Sequence, residues 1–251
     1  MTINISGSSL TAAAENDDDC AIMMNVSGSL NIENSVITGD RQGLFVRAGD
    51  VTVVNSEIVV TGDWAAQEAN DDNKYHDEDW QSGNEAPSAA IVAGNRNGTY
   101  FADANVTIEN STITAPESVP AIPAIYADAT NEPQGTAEES YSSDVSISGA
   151  ETSVTGSIVN NATDGDGKSI EIAVTGGTFT ADVAEYIPEG TILTQDGSGK
   201  IVEDESSVNS AVAEAGGVKY TTLQGAINAA ADGAVVTMLA DTAEDITIAE
   251  G

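Results

Sequence analysis

The chain has 251 residues, 40% of them hydrophobic, which is enough to build a core of domain size and excludes a disordered acidic tail. Its 41 Asp and Glu stand against 7 Lys and Arg, for a formal net charge of −34. A chain so acidic repels nucleic acid and anionic membrane, which excludes nucleic-acid binding, and it favours cations or cationic partners.

From the N-terminus onward one short pattern recurs: apolar, any, Asn or Gly, small, any, apolar. It reads Ile5-Ser6-Gly7-Ser8-Ser9-Leu10, then Ile32-Glu33-Asn34-Ser35-Val36-Ile37, Val53-Val54-Asn55-Ser56-Glu57-Ile58, Ile108-Glu109-Asn110-Ser111-Thr112-Ile113 and Val174-Thr175-Gly176-Gly177-Thr178-Phe179. Val145-Ser146-Ile147-Ser148-Gly149-Ala150 is a weaker copy. An apolar residue two positions upstream (Ile3, Leu30, Val51, Val106, Ile172) gives the alternation of a strand with one buried face. The Asn/Gly position marks a sharp bend, because these residues tolerate left-handed backbone angles. A third apolar run closes several units, as in Leu44-Phe45-Val46 and Ala90-Ile91-Val92.

Unequal spacing between units, with 21 residues at the short end, predicts a right-handed parallel β-helix with three short strands per coil and loops inserted at its corners. Stacked coils would set Asn34, Asn55 and Asn110 above one another in an amide ladder. An antiparallel β-sandwich is the competing fold, but it gives no reason for a bend to recur in register.

Beyond the last unit, Ile192 to Val202 reads as a hairpin around Asp196-Gly197. Thr221 or Thr222 then caps a helix carrying Leu223, Ala226, Ile227 and Ala230 on one face, which Asp232-Gly233 stops. The expected organisation is a parallel β-helix with a terminal hairpin cap over 1–204, a linker over 205–216, and over 217–251 a capping helix with the first strands of a following module. No stretch approaches the roughly 18 apolar residues of a membrane span, and Met1-Thr2-Ile3-Asn4-Ile5-Ser6 lacks the marks of a signal peptide, so an export signal would lie outside this sequence.

Gly176-Gly177-Thr178-Phe179-Thr180-Ala181-Asp182-Val183 with Tyr186-Ile187, and later Gly217-Val218-Lys219-Tyr220-Thr221-Thr222-Leu223-Gln224, resemble the closing and opening segments of pectate-lyase-like β-helix modules in large adhesin-like surface proteins of gut Gram-positive bacteria. The resemblance implies an extracellular, secreted or cell-surface stalk or adhesin, joined to neighbouring modules of the same chain.

Chemistry is sparse. His76 is the only histidine and Cys20 the only cysteine, so zinc sites, histidine-based triads and an internal disulfide cannot be assembled, and no phosphate loop is present. Cys20, beside Ala21 and Ile22, reads as a small core residue. No catalytic residue is assigned. Lyases of the β-helix family work with a basic residue near calcium, and bases are few here: Arg41, Arg47, Lys74, Arg96, Lys168, Lys200 and Lys219. Paired carboxylates for glycoside hydrolysis keep a polysaccharide-degrading enzyme as the alternative. Calcium is the only cofactor the residues suggest, with Asp17, Asp18, Asp19, Asp71, Asp72, Asp77 and Asp79 as candidate ligands. The insertion from Asp63 to Pro87 holds Trp64, Tyr75, His76 and Trp80, aromatic rings among acids and amides of the kind a sugar-binding surface uses. The loops Thr11–Asp19, Gly39–Gln42 and Asp63–Pro87 are expected to leave one corner and line one edge. The functional expectation is a non-enzymatic surface module that spaces or presents binding elements and meets a glycan or host protein along that edge.

Overall fold

A computed structural model describes residues 1–12, 20–62, 88–94, 103–117, 121–128, 142–161, 170–188, 191–196, 199–204, 211–220 and 222–248. In chain order the strands are β1 (Thr2–Ser6), β2 (Ser9–Thr11), β3 (Cys20–Glu33), β4 (Val36–Gly39), β5 (Gln42–Val54), β6 (Glu57–Val60), β7 (Ala89–Gly94), β8 (Ala104–Glu109), β9 (Thr112–Thr114) and β10 (Ile125–Asp128). They continue as β11 (Val145–Ser148), β12 (Ser153–Thr155), β13 (Ile158–Asn161), β14 (Ile172–Val174), β15 (Gly177–Phe179), β16 (Thr191–Asp196), β17 (Gly199–Asp204), β18 (Ala213–Ala215), β19 (Val218–Tyr220) and β20 (Val236–Met238). Helix is confined, among the described residues, to a 3-10 turn at Ala184–Tyr186 and a seven-residue α1, Leu223–Ala229.

The pairing corrects the expected fold class. Instead of a right-handed parallel β-helix with three separate short strands per coil, the strands gather into two sheets. One is parallel, with a main path of seven strands, β13-β10-β7-β5-β8-β11-β14, and with β1 and β3 attached. The other runs β2-β4-β6-β9-β12-β15-β17-β16-β19-β18-β20, parallel as far as β15 and mostly antiparallel beyond it. The physical cause lies in β3 and β5, 14 and 13 residues long. Each carries the closing run of one repeat and the opening run of the next as one strand, bending at Gly28 (φ +153°) and Gly49 (φ +90°). Away from β3, the first half of β5 pairs with β7 and its second half with β8, so the sheet divides into two limbs there. The β16–β17 hairpin forms over the span the sequence gives it and pairs antiparallel with β15, the strand of the last repeat.

Within this frame the repeats stand in register. Leu30, Val51, Val106, Val145 and Ile172 are direct neighbours across strands, as are Ile32, Val53, Ile108, Ile147 and Val174. Leu10, Ile37, Ile58, Ile113, Val154 and Phe179 make a third column in the second sheet, and Ile22, Leu44, Ile91, Ile125 and Ile158 a fourth. All four columns meet in one core. A fully buried side chain of this size contributes about 1.5–3 kcal/mol, so the stacked aliphatic residues supply most of the drive to fold. Phe179, Tyr186 and Tyr220 close the core at its C-terminal end, with the Tyr186 hydroxyl donating to the Ile158 carbonyl at 3.4 Å. Gly43 lets layers approach: a Cβ there would stand 2.7 Å from Ile58 Cγ2 and 2.9 Å from the Ala90 oxygen.

Candidate functional site

Between the first and second sheets the chain turns at one residue. Asn34, Asn55 and Asn110 hold φ of +49°, +47° and +47°, a left-handed geometry in which an L side chain costs about 1–2 kcal/mol and which Asn tolerates by local polar contacts. Gly7 (φ +56°) and Gly149 (φ +89°) make the same turn in the first and fifth repeats.

The anticipated amide ladder does not form; among the described residues no hydrogen bond joins the three Asn side chains. The ladder is built one residue later, from hydroxyls. The backbone N–H of Ser8 donates to Ser35 Oγ at 3.1 Å, that of Ser35 to Ser56 Oγ at 3.1 Å, that of Ser56 to Ser111 Oγ at 3.0 Å and that of Ser111 to Thr152 Oγ1 at 3.4 Å. In return Ser35, Ser56 and Ser111 each donate to the carbonyl two residues back, at 2.8 Å. A hydroxyl carries one donor and two acceptor lone pairs, so it can close both contacts. The sequence held the signal as a "small" residue after each Asn.

The backbone N–H groups of Asn34, Asn55 and Asn110 donate to the carbonyls of Val54, Glu109 and Ser148 in the next repeat, and the Asn side chains line an open groove of about 570 Å3 together with Glu57, Thr112 and Glu151. Asn34 and Asn55 are exposed and Asn110 is half-buried, its Oδ1 accepting from the Glu151 N–H at 3.4 Å. The groove sits where β4, β6, β9 and β12 of the second sheet begin.

Variable connections sit where those strands end, and others, β7 to β8, β10 to β11 and β13 to β14, leave the ends of first-sheet strands. The links β2 to β3, β4 to β5 and β6 to β7 all leave the C-terminal ends of neighbouring parallel strands, so they emerge along one edge. The aromatic candidates Trp64, Tyr75, His76 and Trp80 belong to the last of these links and lie outside the described residues. So do Asp17, Asp18, Asp19, Asp71, Asp72, Asp77 and Asp79, and with them the whole candidate calcium set. Among the described residues no three His, Cys, Asp or Glu side chains are grouped to hold a metal ion.

The outer face of the first sheet carries a second apolar cluster, in which Phe45, Val92, Tyr126 and Val159 are successive cross-strand neighbours. Cys20 packs against it, and burial pushes its thiol up to about 12, with hydrogen bonds at the backbone of Ile22 and Phe45 acting against that rise. Arg41 and Arg47 are only 5% and 3% exposed, and the Arg47 guanidinium lies 5.7 Å from the centre of the Phe45 ring. Cation and ring attract through the ring quadrupole, so Arg47 is held against the sheet surface. No described helix is long and apolar enough to cross a membrane.

Comparison of the chain with protein-family models, with curated proteins and with solved structures finds no match.

Proposed function

We propose that this protein is a non-enzymatic binding and spacer module of a secreted or cell-surface, adhesin-like protein, meeting a glycan or a host surface protein along the edge that carries its variable connections. The observation that supports this reading is the contrast, along the second sheet, between constant bends before the strands and variable links after them. The bends at Asn34, Asn55 and Asn110 keep one geometry, while the links of different length leave the opposite ends of the same strands. A scaffold that fixes strand register and varies its connections at one edge is how repeat proteins present recognition surfaces. The net charge of −34 directs the choice of ligand away from polyanions. Neighbouring modules of the same chain and calcium bound by the candidate aspartates belong to the same reading.

The test is a glycan array and a host-protein pull-down, each run with and without a calcium chelator and repeated on a variant in which 63–87 is replaced by a short Gly-Ser link. Binding that disappears with the insertion supports the reading; binding indifferent to it refutes the edge.

A polysaccharide-degrading enzyme is the second reading, favoured by Glu57 and Glu151 sharing one groove. Release of reducing ends from plant or mucin glycans by the purified protein, abolished in Glu57→Gln, would establish it.

A further inference from the structure

The backbone at the bends does not require asparagine. Gly7 and Gly149 make the same left-handed turn with no side chain, and glycine adopts it without steric cost. The chain nevertheless places Asn at the three consecutive central positions 34, 55 and 110. The hydroxyl ladder of Ser35, Ser56, Ser111 and Thr152 accepts from the Ser N–H groups and backbone carbonyls accept from the Asn N–H groups, so the Asn34 and Asn55 amides are not needed for the backbone, and Asn110 lends it one acceptor, to the Glu151 N–H. What Asn adds is an amide, and in the groove these amides stand beside Glu57, Thr112 and Glu151.

The chemistry of that lining is specific. Each amide offers two donors and an acceptor, Thr112 one donor and two acceptors, and each carboxylate only acceptors. A ligand that suits it both donates and accepts at short intervals along its length. Neighbouring strands are about 4.8 Å apart, so the groups from Asn34 to Glu151 form a track about 14 Å long with one polar step per repeat. The two carboxylates, in a molecule of net charge −34, oppose any anionic chain. A protein partner is disfavoured by the lining itself: the strong anchors of protein interfaces are aromatic and Arg side chains seated in pockets, and this groove has none, its one apolar contribution being Val36.

We infer that the groove along Asn34, Asn55 and Asn110 binds an extended neutral oligosaccharide, with sugar hydroxyls donating to Glu57 and Glu151 and exchanging hydrogen bonds with the three amides. The site stands at the opposite ends of the strands from the variable edge and does not depend on the reading of that edge.

The experiment uses the full chain and neutral tetrasaccharides of glucose, mannose and galactose, with tetragalacturonate as the acidic counterpart, at low ionic strength. Side-chain amide resonances of Asn34, Asn55 and Asn110 are followed by NMR, and affinity by calorimetry. At least one neutral tetrasaccharide is expected to shift all three amides and to bind at least tenfold more tightly than tetragalacturonate. The triple variant N34G/N55G/N110G keeps the left-handed turns, so its melting temperature is the check on folding, and its affinity is expected to fall at least tenfold. Should the triple variant melt early, Asn55→Gly alone serves, with a several-fold loss expected. No amide shift with any neutral chain, equal binding of the acidic one, or full affinity in a folded Gly variant would overturn the inference. The same titration on the variant lacking 63–87 separates the two sites, since groove binding must survive there whether or not the edge binds anything.

Discussion

Ser111 Oγ accepts the backbone N–H of Ser56 at 3.0 Å across a gap of 55 residues in sequence, inside a corner where Ser111 is 1% exposed. Removing the hydroxyl strands a buried donor, and an unsatisfied buried polar group costs about 1–3 kcal/mol. Ser111→Ala is therefore expected to lose that much in urea unfolding. Ser8→Ala, whose hydroxyl accepts from no described backbone amide, is expected to stay within about 0.5 kcal/mol of the parent.

The bends give a paired test of backbone strain. Asn55→Ala forces an alanine to φ +47° and is expected to cost about 1–2 kcal/mol. Asn55→Gly removes the same amide with no such strain and is expected to differ from the parent by a few tenths, against which the glycine's extra freedom in the unfolded chain sets the limit. Thermal melts of the two variants side by side decide the matter.

These bends were also the most legible part of the chain. Asn and Gly recurring between apolar anchors carry their conformational reason with them, and Ile32, Val53 and Ile108 fall into the expected column because alternation fixes which face is buried. The sheet architecture was not legible, because nothing in the composition around Gly28 and Gly49 tells a bend within one continuous strand from a turn between two. The hydroxyl ladder is hidden in sequence because Ser35, Ser56 and Ser111 share only small size with the other residues at that position of the repeat, and a hydroxyl's partner lies one repeat away. Trp64, Tyr75, His76 and Trp80 stand out by side-chain chemistry alone, with no periodicity to position them.

Gly43→Ala tests the close approach of the layers. Its Cβ would meet Ile58 Cγ2 and the Ala90 carbonyl, one of them rigid backbone, at under 3.0 Å. Overpacking of this kind costs about 1–3 kcal/mol, and the expected result is a lowered urea midpoint with unchanged slope.

Glu244 provides the pH dependence. Its slight burial alone would raise the carboxyl, but hydrogen bonds accepted from the Leu223 N–H, the Thr242 hydroxyl and the Gln224 N–H outweigh this and hold it below its usual value. A depressed carboxyl stabilises the folded state above its unfolded-state pKa, and that contribution is lost as pH falls through the lower folded value. Hydrogen-exchange protection of the Leu223 and Gln224 amides at the start of α1 is expected to hold at pH 6 and drop on acidification below the carboxylate range. In Glu244→Gln the protection should show no such step.

Cys20, with its thiol pushed up to about 12, is almost wholly protonated at pH 8 and packed against the Phe45 cluster. Since the thiolate is the reactive form, a disulfide reagent is expected to label it slowly in the native protein and within seconds to minutes in 6 M guanidinium. Fast labelling of the native chain would show that this face opens.

The serine ladder also has a direction. Each rung lends its acceptor to the repeat before it, so peeling away the N-terminal repeat leaves Ser35 with a vacant lone pair, a small loss that water makes good. Peeling from the other end takes away Thr152 and abandons the Ser111 amide, the costlier half of the contact. As far as this ladder governs it, a molecule pulled at both ends should unzip from its first strands inward, like a fastening made to open from one side.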